Sequence, residues 1–170
     1  MKLIIKPQER QSLAMVATPA GLEVRIPKSL DPEGERVQAF IATGLGKIEK
    51  VKVEGKGRER PFTKAEVRAI IGEWADKLGV SIGRVQFQPM TRKWGSLSSN
   101  GNLTLADDVR RLHRPLVEYI IVHELVHVKH EGHGRNFQVA MNLAMPDWQE
   151  REQMLVAHMV GHNHFSRKNR

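Results

Sequence analysis

The chain has 170 residues, 40% of them hydrophobic, with no cysteine and a formal net charge of +8 at pH 7. The length suits one domain with a substantial core. The missing cysteine excludes disulfides and thiolate metal sites, so a metal would have to be held by His and carboxylate. No apolar run approaches the roughly 20 residues needed to span a bilayer, and Met1–Lys6 lacks the apolar stretch and cleavage site of a signal peptide, so no membrane partner and a cytoplasmic location are expected.

Residues 1–30 read as β-rich, with Leu13–Val16 and Leu22–Ile26 as short strands separated by the turn signal Thr18-Pro19-Ala20-Gly21. After Pro32, the spacing of Val37, Phe40, Ile41 and Leu45 predicts a helix that Gly44 and Gly46 end or weaken. The basic stretch 47–60, where Lys47, Lys50, Lys52, Lys56, Arg58 and Arg60 are diluted by Glu49, Glu54 and Glu59, reads as a connector. Thr63-Lys64-Ala65-Glu66 is a capping box, and Val67, Ile70, Ile71, Trp74 and Leu78 follow it on one face, which predicts a helix over about 64–78.

Val85-Gln86-Phe87 is a strand candidate. Lys93–Ser98 and Asn102–Leu105 read as a hairpin turning at Ser99-Asn100-Gly101. A short helical turn is expected after Asp107, and Pro115 suits the first turn of a helix running through His127. Further helix is expected after Gly134 and again after Pro146-Asp147. These elements compose a single α+β domain over 1–170: a β-rich part with its connector at 1–60, a core at 61–160 and a basic tail at 161–170.

The chemistry concentrates at His123-Glu124-Leu125-Val126-His127. Two histidines four apart on a helix project from one face and can reach one zinc ion, while the glutamate beside them can take a proton from water. The apolar flanks Ile120, Ile121, Val122, Leu125, Val126 and Val128 predict a largely buried helix, where unpartnered imidazoles would be costly. A catalytic zinc usually takes a third protein ligand. His130 lies two helical turns from His123, roughly 10 Å at 1.5 Å per residue, which suits one tetrahedral ion poorly. His133, bracketed by Gly132 and Gly134 where the helix can end and the chain turn back, is the favoured third ligand, with Glu131 or Asp147 as carboxylate alternatives. Asp147 and Glu150 are also candidates for supporting the ligands from behind. His158 and His162, also four apart and close to His164, read as part of a solvated tail, and Tyr119 as packing.

With those residues in view, the segment His123–His127 followed by Gly132-His133-Gly134-Arg135-Asn136-Phe137 resembles the YgjP-like metallopeptidases, relatives of the SprT-like zincins. Lys93–Leu103 is similar to their R-W-G-S-C-S-x-x-G-x-[IL] segment, and Met145-Pro146-Asp147-Trp148 to their M-P-D-[YW]. Lys93 stands where arginine is usual and Leu97 where cysteine is usual, so no thiol at that position is essential here. The resemblance implies a zincin-like fold, one zinc ion on His123, His127 and His133, and Glu124 as catalytic base. It also implies a protein or peptide substrate lying along the strand around Trp94, Gly95 and Ser96. The SprT-like branch cuts DNA-bound proteins, so a DNA-recruited protease with phosphate contacts at Arg110, Arg111 and Arg114 is a second reading. A metal-dependent UTP pyrophosphatase and a non-catalytic zinc-binding interaction domain are the others. The former lacks a phosphate-cradling Gly-rich loop with Lys-Ser/Thr in this chain.

Overall fold

The computed structural model describes residues 3–48 and 60–165. These form strands β1 (Leu3–Gln8), β2 (Ala14–Thr18) and β3 (Gly21–Pro27), then helices α1 (Glu35–Ile48) and α2 (Lys64–Leu78). Strands β4 (Val85–Gln88), β5 (Gly95–Leu97) and β6 (Leu103–Ala106) come next. A 3-10 turn (Asp107–Arg111) leads to helices α3 (Arg114–Val126), α4 (Arg135–Ala144) and α5 (Trp148–Phe165). The expected mixed α+β class is what is found. The chain divides into two compact units, residues 1–54 with 153–170 and residues 55–152.

In the first unit β3 is central, parallel to β1 and antiparallel to β2. Alternation along β3 sends Val24 and Ile26 to one face, where Val37 and Ile41 of α1 cover them and Leu3, Ile5, Met15 and Phe40 close the rim. Each such buried aliphatic side chain contributes about 1.5–3 kcal/mol. Helix α1 does not stop at Gly44 and Gly46 as expected but runs on to Ile48. At Gly44 a Cβ would meet the Met15 Cε at 2.6 Å, so glycine there leaves room for the end of that side chain. Most of the expected basic connector, residues 49–59, lies outside the described residues. Helix α5 continues to Phe165, so His158 and His162 stand on the helix expected after Pro146-Asp147.

The second unit begins with α2, whose Thr63 and Glu66 form the capping box foreseen from the sequence, and whose Gly79 closes the other end at φ +59. Its buried stripe is Val67, Ile70, Ile71 and Ala75, whereas Trp74 and Leu78 are half-buried. The second sheet has the order β4-β6-β5, with β4 parallel and β5 antiparallel to β6, so β5 is an edge strand. Leu103 and Leu105 of β6 are fully buried, as are Leu116, Val117, Ile121, Val122 and Leu125 of α3. Helix α3 packs against both α2 and β5. Among the described residues no helix is long and apolar enough to cross a membrane.

On the other face of β3 from Val24 lies Glu23, only 3% exposed. Burial works to raise its pKa, but hydrogen bonds from Lys6 and Arg25 prevail and hold it below the usual carboxylate range. Because the folded value lies below the unfolded one, the ionised carboxylate stabilises the fold above the unfolded pKa, and that stability is lost as pH falls through the folded value. Lys6 and Arg25 still reach water, at 31% and 32% exposure. Glu23→Gln should therefore destabilise at neutral pH by about 1–3 kcal/mol, less than a fully buried pair would lose. Urea unfolding at neutral pH and below pH 4 checks this, since the gap between wild type and variant should narrow in acid.

Candidate metal centre

The site is built on the C-terminal end of α3. His123 and Glu124 fall in its last turn, and His127 caps it with helical dihedrals. Beyond His127 the backbone tightens, with Val128 N–H donating to Leu125 O and Lys129 N–H to Val126 O. At Gly132 the chain adopts φ +68, a left-handed conformation that glycine takes at no steric cost. That turn returns His133 to the helix, as the Gly132–Gly134 bracket led one to expect. The ligand-capable atoms of His123, His127 and His133 all lie within 4.8 Å of one another, and the Nε2 atoms of His123 and His133 are 3.0 Å apart.

Ring chemistry sorts the nitrogens. His127 Nδ1 lies 3.0 Å from the His130 carbonyl, which only accepts, so Nδ1 carries the proton and the Nε2 lone pair is left open. His130 thus acts through its backbone. His123 is driven down to about pKa 3 by burial, with the neighbouring His133 and His127 adding to the effect, so its imidazole is neutral. Its buried Nδ1 has no hydrogen-bond partner among the described residues. Leaving such a group unpaired costs about 1–3 kcal/mol, which a strong bond at the ring's other nitrogen would offset.

These features fit a zinc ion. Imidazole nitrogens at about 2.0–2.1 Å from a tetrahedral ion stand roughly 3.3 Å apart, close to the His123–His133 separation. Three neutral imidazoles with no thiolate would leave a fourth position for water.

Phe137, the first apolar residue of α4 and only 2% exposed, lies among the three rings. It stacks on His127 at 4.7 Å and 28°, and meets His123 at 5.0 Å and His133 at 4.8 Å edge-on. Its place was not singled out from the sequence, where helical spacing to Met141 marks it as ordinary core.

Glu124 is buried beside the histidines, and desolvation lifts its carboxyl to about 7 against the opposing pull of Lys93 and a hydrogen bond from the Leu97 backbone N–H. Of the three strand residues expected at a cleft, only Gly95 is shown against Glu124: a Cβ on Gly95 would lie 2.7 Å from Glu124 Cγ. Trp94 is 8% exposed and anchors the core, and the Ser96 hydroxyl accepts a hydrogen bond from Lys93 Nζ at 2.7 Å.

Other candidates have structural partners. Tyr119 donates its hydroxyl to Glu152, and burial, reinforced by that carboxylate, pushes the phenol pKa well above its usual value. Asp147 accepts from Arg151 at 2.8 Å. Arg110 pairs with Asp107 and donates to the Phe62 carbonyl, Arg111 pairs with Asp108, and Arg114 binds both Glu73 and Glu118.

Phe137→Ala should open a hole among the rings. The expected outcome is a loss of about 3–5 kcal/mol in unfolding free energy and zinc affinity weaker by about 10–100-fold, as for other residues that orient ligands. Competition with a chromophoric chelator measures the affinity; unchanged affinity would show that the rings hold their places without Phe137.

The model of the YgjP-like metallopeptidase domain matches residues 56–158. No curated protein matches the chain. Solved structures similar to it include the metallopeptidase zymogen jannalysin of Methanocaldococcus jannaschii, at TM-score 0.48 and 27% identity over 54% of this chain and 95% of that one. The metallopeptidase zymogen abylysin of Pyrococcus abyssi is similar at TM-score 0.39 and 23% identity, over 61% of this chain and 96% of that one.

Proposed function

The chain belongs to the YgjP-like metallopeptidase family, and on that footing we propose that it hydrolyses peptide bonds in protein or peptide substrates with one zinc ion held by His123, His127 and His133. The observation that carries this reading is the convergence of three imidazoles, one tautomer already set by the His130 carbonyl, beside a buried carboxylate. Zinc, when bound, supplies Lewis-acid polarisation of the scissile carbonyl and lowers the pKa of water toward about 7.

The remaining work belongs to side chains. Glu124 accepts the proton of the attacking water and returns it to the departing amine, and its place one residue from His123 keeps it beside the reacting atoms. Phe137 packs against all three rings and so keeps the imidazoles oriented. Tyr119, engaged by Glu152, takes no part in proton transfer.

The test is Glu124→Gln, which keeps the shape and removes the basicity. Zinc content measured by atomic absorption should stay at one per chain, while cleavage of an unfolded protein should fall by about 10²–10⁴-fold. Undiminished cleavage in that variant would overturn the mechanism, and loss of zinc would assign Glu124 to the metal instead.

A further inference from the structure

Strand β5 borders Glu124, and its backbone geometry divides into two sides. Ala106 N–H donates to Trp94 O and Ser98 N–H to Asn102 O, so Trp94 and Ser98 turn their main-chain groups toward β6. The two-residue alternation of an antiparallel ladder then turns Ser96 the same way and leaves Gly95 and Leu97 facing the open edge. The Leu97 N–H on that edge is not idle: it donates to the Glu124 carboxylate. The carboxyl group reaches it by lying directly on Gly95, where a methyl group would fall 2.7 Å from Cγ, 2.8 Å from Oε1 and 2.9 Å from Cδ. Real Cβ atoms essentially never show contacts that short, so with a Cβ at 95 something must shift, and the carboxyl group, the free end of a flexible side chain, is what yields most readily.

We infer that Gly95 and the Leu97 N–H are the positioning elements of the catalytic base: the bare Cα admits the Glu124 carboxyl to the edge of β5, and the amide fixes it there. This rests on the reading of Glu124 as the base. Neither residue touches substrate in this role. The inference gives the Trp-Gly-Ser segment a duty distinct from pairing with a peptide, since the outward N–H of Leu97 is taken up by the enzyme's own carboxylate. It also accounts for leucine serving at 97, because the backbone makes the contact whatever the side chain.

The experiment is a double-mutant cycle on the full-length, zinc-loaded protein. Gly95→Ala should lower kcat by about 100-fold with KM and zinc content unchanged, the pattern of a misplaced base. In a Glu124→Asp background, whose shorter side chain leaves room for the methyl, the same change should alter kcat by less than about threefold. Equal loss in both backgrounds, or a loss confined to KM, would overturn the inference. Should Gly95→Ala fail to fold, Leu97→Pro removes the edge N–H while sparing the β6 ladder. It should lower kcat by about tenfold, the loss of one charge-assisted hydrogen bond, and an unaltered kcat would count against the inference.

Amide exchange adds a readout independent of turnover. Glu124→Ala should speed exchange at Leu97 by about tenfold or more, and an unchanged rate would refute the hydrogen bond. The two readings fail separately. Activity retained in Glu124→Gln removes the base itself, whereas an inactive Glu124→Gln beside a fully active Gly95→Ala removes only the positioning role.

Discussion

A packed helix has to carry two imidazoles and a carboxylate through an apolar interior, and the rest of the site answers that constraint. Helix α3 is buried almost all round, with Leu116, Val117, Ile121, Val122 and Leu125 at zero exposure. Placing polar groups there is unfavourable unless each finds a partner. His127 finds the His130 carbonyl, Glu124 finds the Leu97 amide, and the three rings find one another and Phe137. His123 Nδ1, the buried ring nitrogen of this site without a partner among the described residues, belongs to a ring that burial holds neutral. The three converging rings fit a divalent ion, and the apolar surroundings that hold His123 neutral also strengthen electrostatic interactions beside it.

The supporting parts come from both sides of α3 and are different in kind. From one side the loop at Gly132 and helix α4 bring His133 and Phe137, so the proposed ligand and its packing platform arrive on consecutive structural elements only four residues apart. From the other side comes an edge strand of three residues, β5, whose contribution is mostly main chain. Short edge strands are usually blunted against unwanted pairing. Here the Glu124 carboxylate occupies the outward amide of Leu97, so an element of the proposed chemistry also covers part of the edge.

How far this could be read from the chain depends on the range of the interactions. Local rules carried the caps and the spacing: the Thr63–Glu66 box, the helix through His127 and the return at Gly132 all rest on residues within a turn or two of each other. The close seat of Met15 against Gly44 was not legible, because Met15 lies 29 residues earlier. Gly95 was legible as part of the strand expected along the substrate but not as the seat of Glu124, since that partner is equally distant along the chain and meets it through tertiary packing. Phe137 hid for another reason: an aromatic residue four before Met141 on an amphipathic helix carries the ordinary core pattern, and nothing local says that imidazoles will surround it. The arginines at 110, 111 and 114 stood out as a cluster, but charge counting does not reveal the carboxylates of Asp107, Asp108, Glu73 and Glu118 that meet them.

The proposed site holds its metal by three histidines and no carboxylate. Zinc-edge X-ray absorption of the full-length protein tests it most directly, because imidazole rings give distinctive outer-shell scattering. The expected spectrum shows one zinc per chain with three imidazole nitrogens at about 2.0–2.1 Å and one further light atom. A spectrum fitted by two imidazoles and a protein carboxylate, or a His133→Ala variant with an unchanged spectrum, would contradict it.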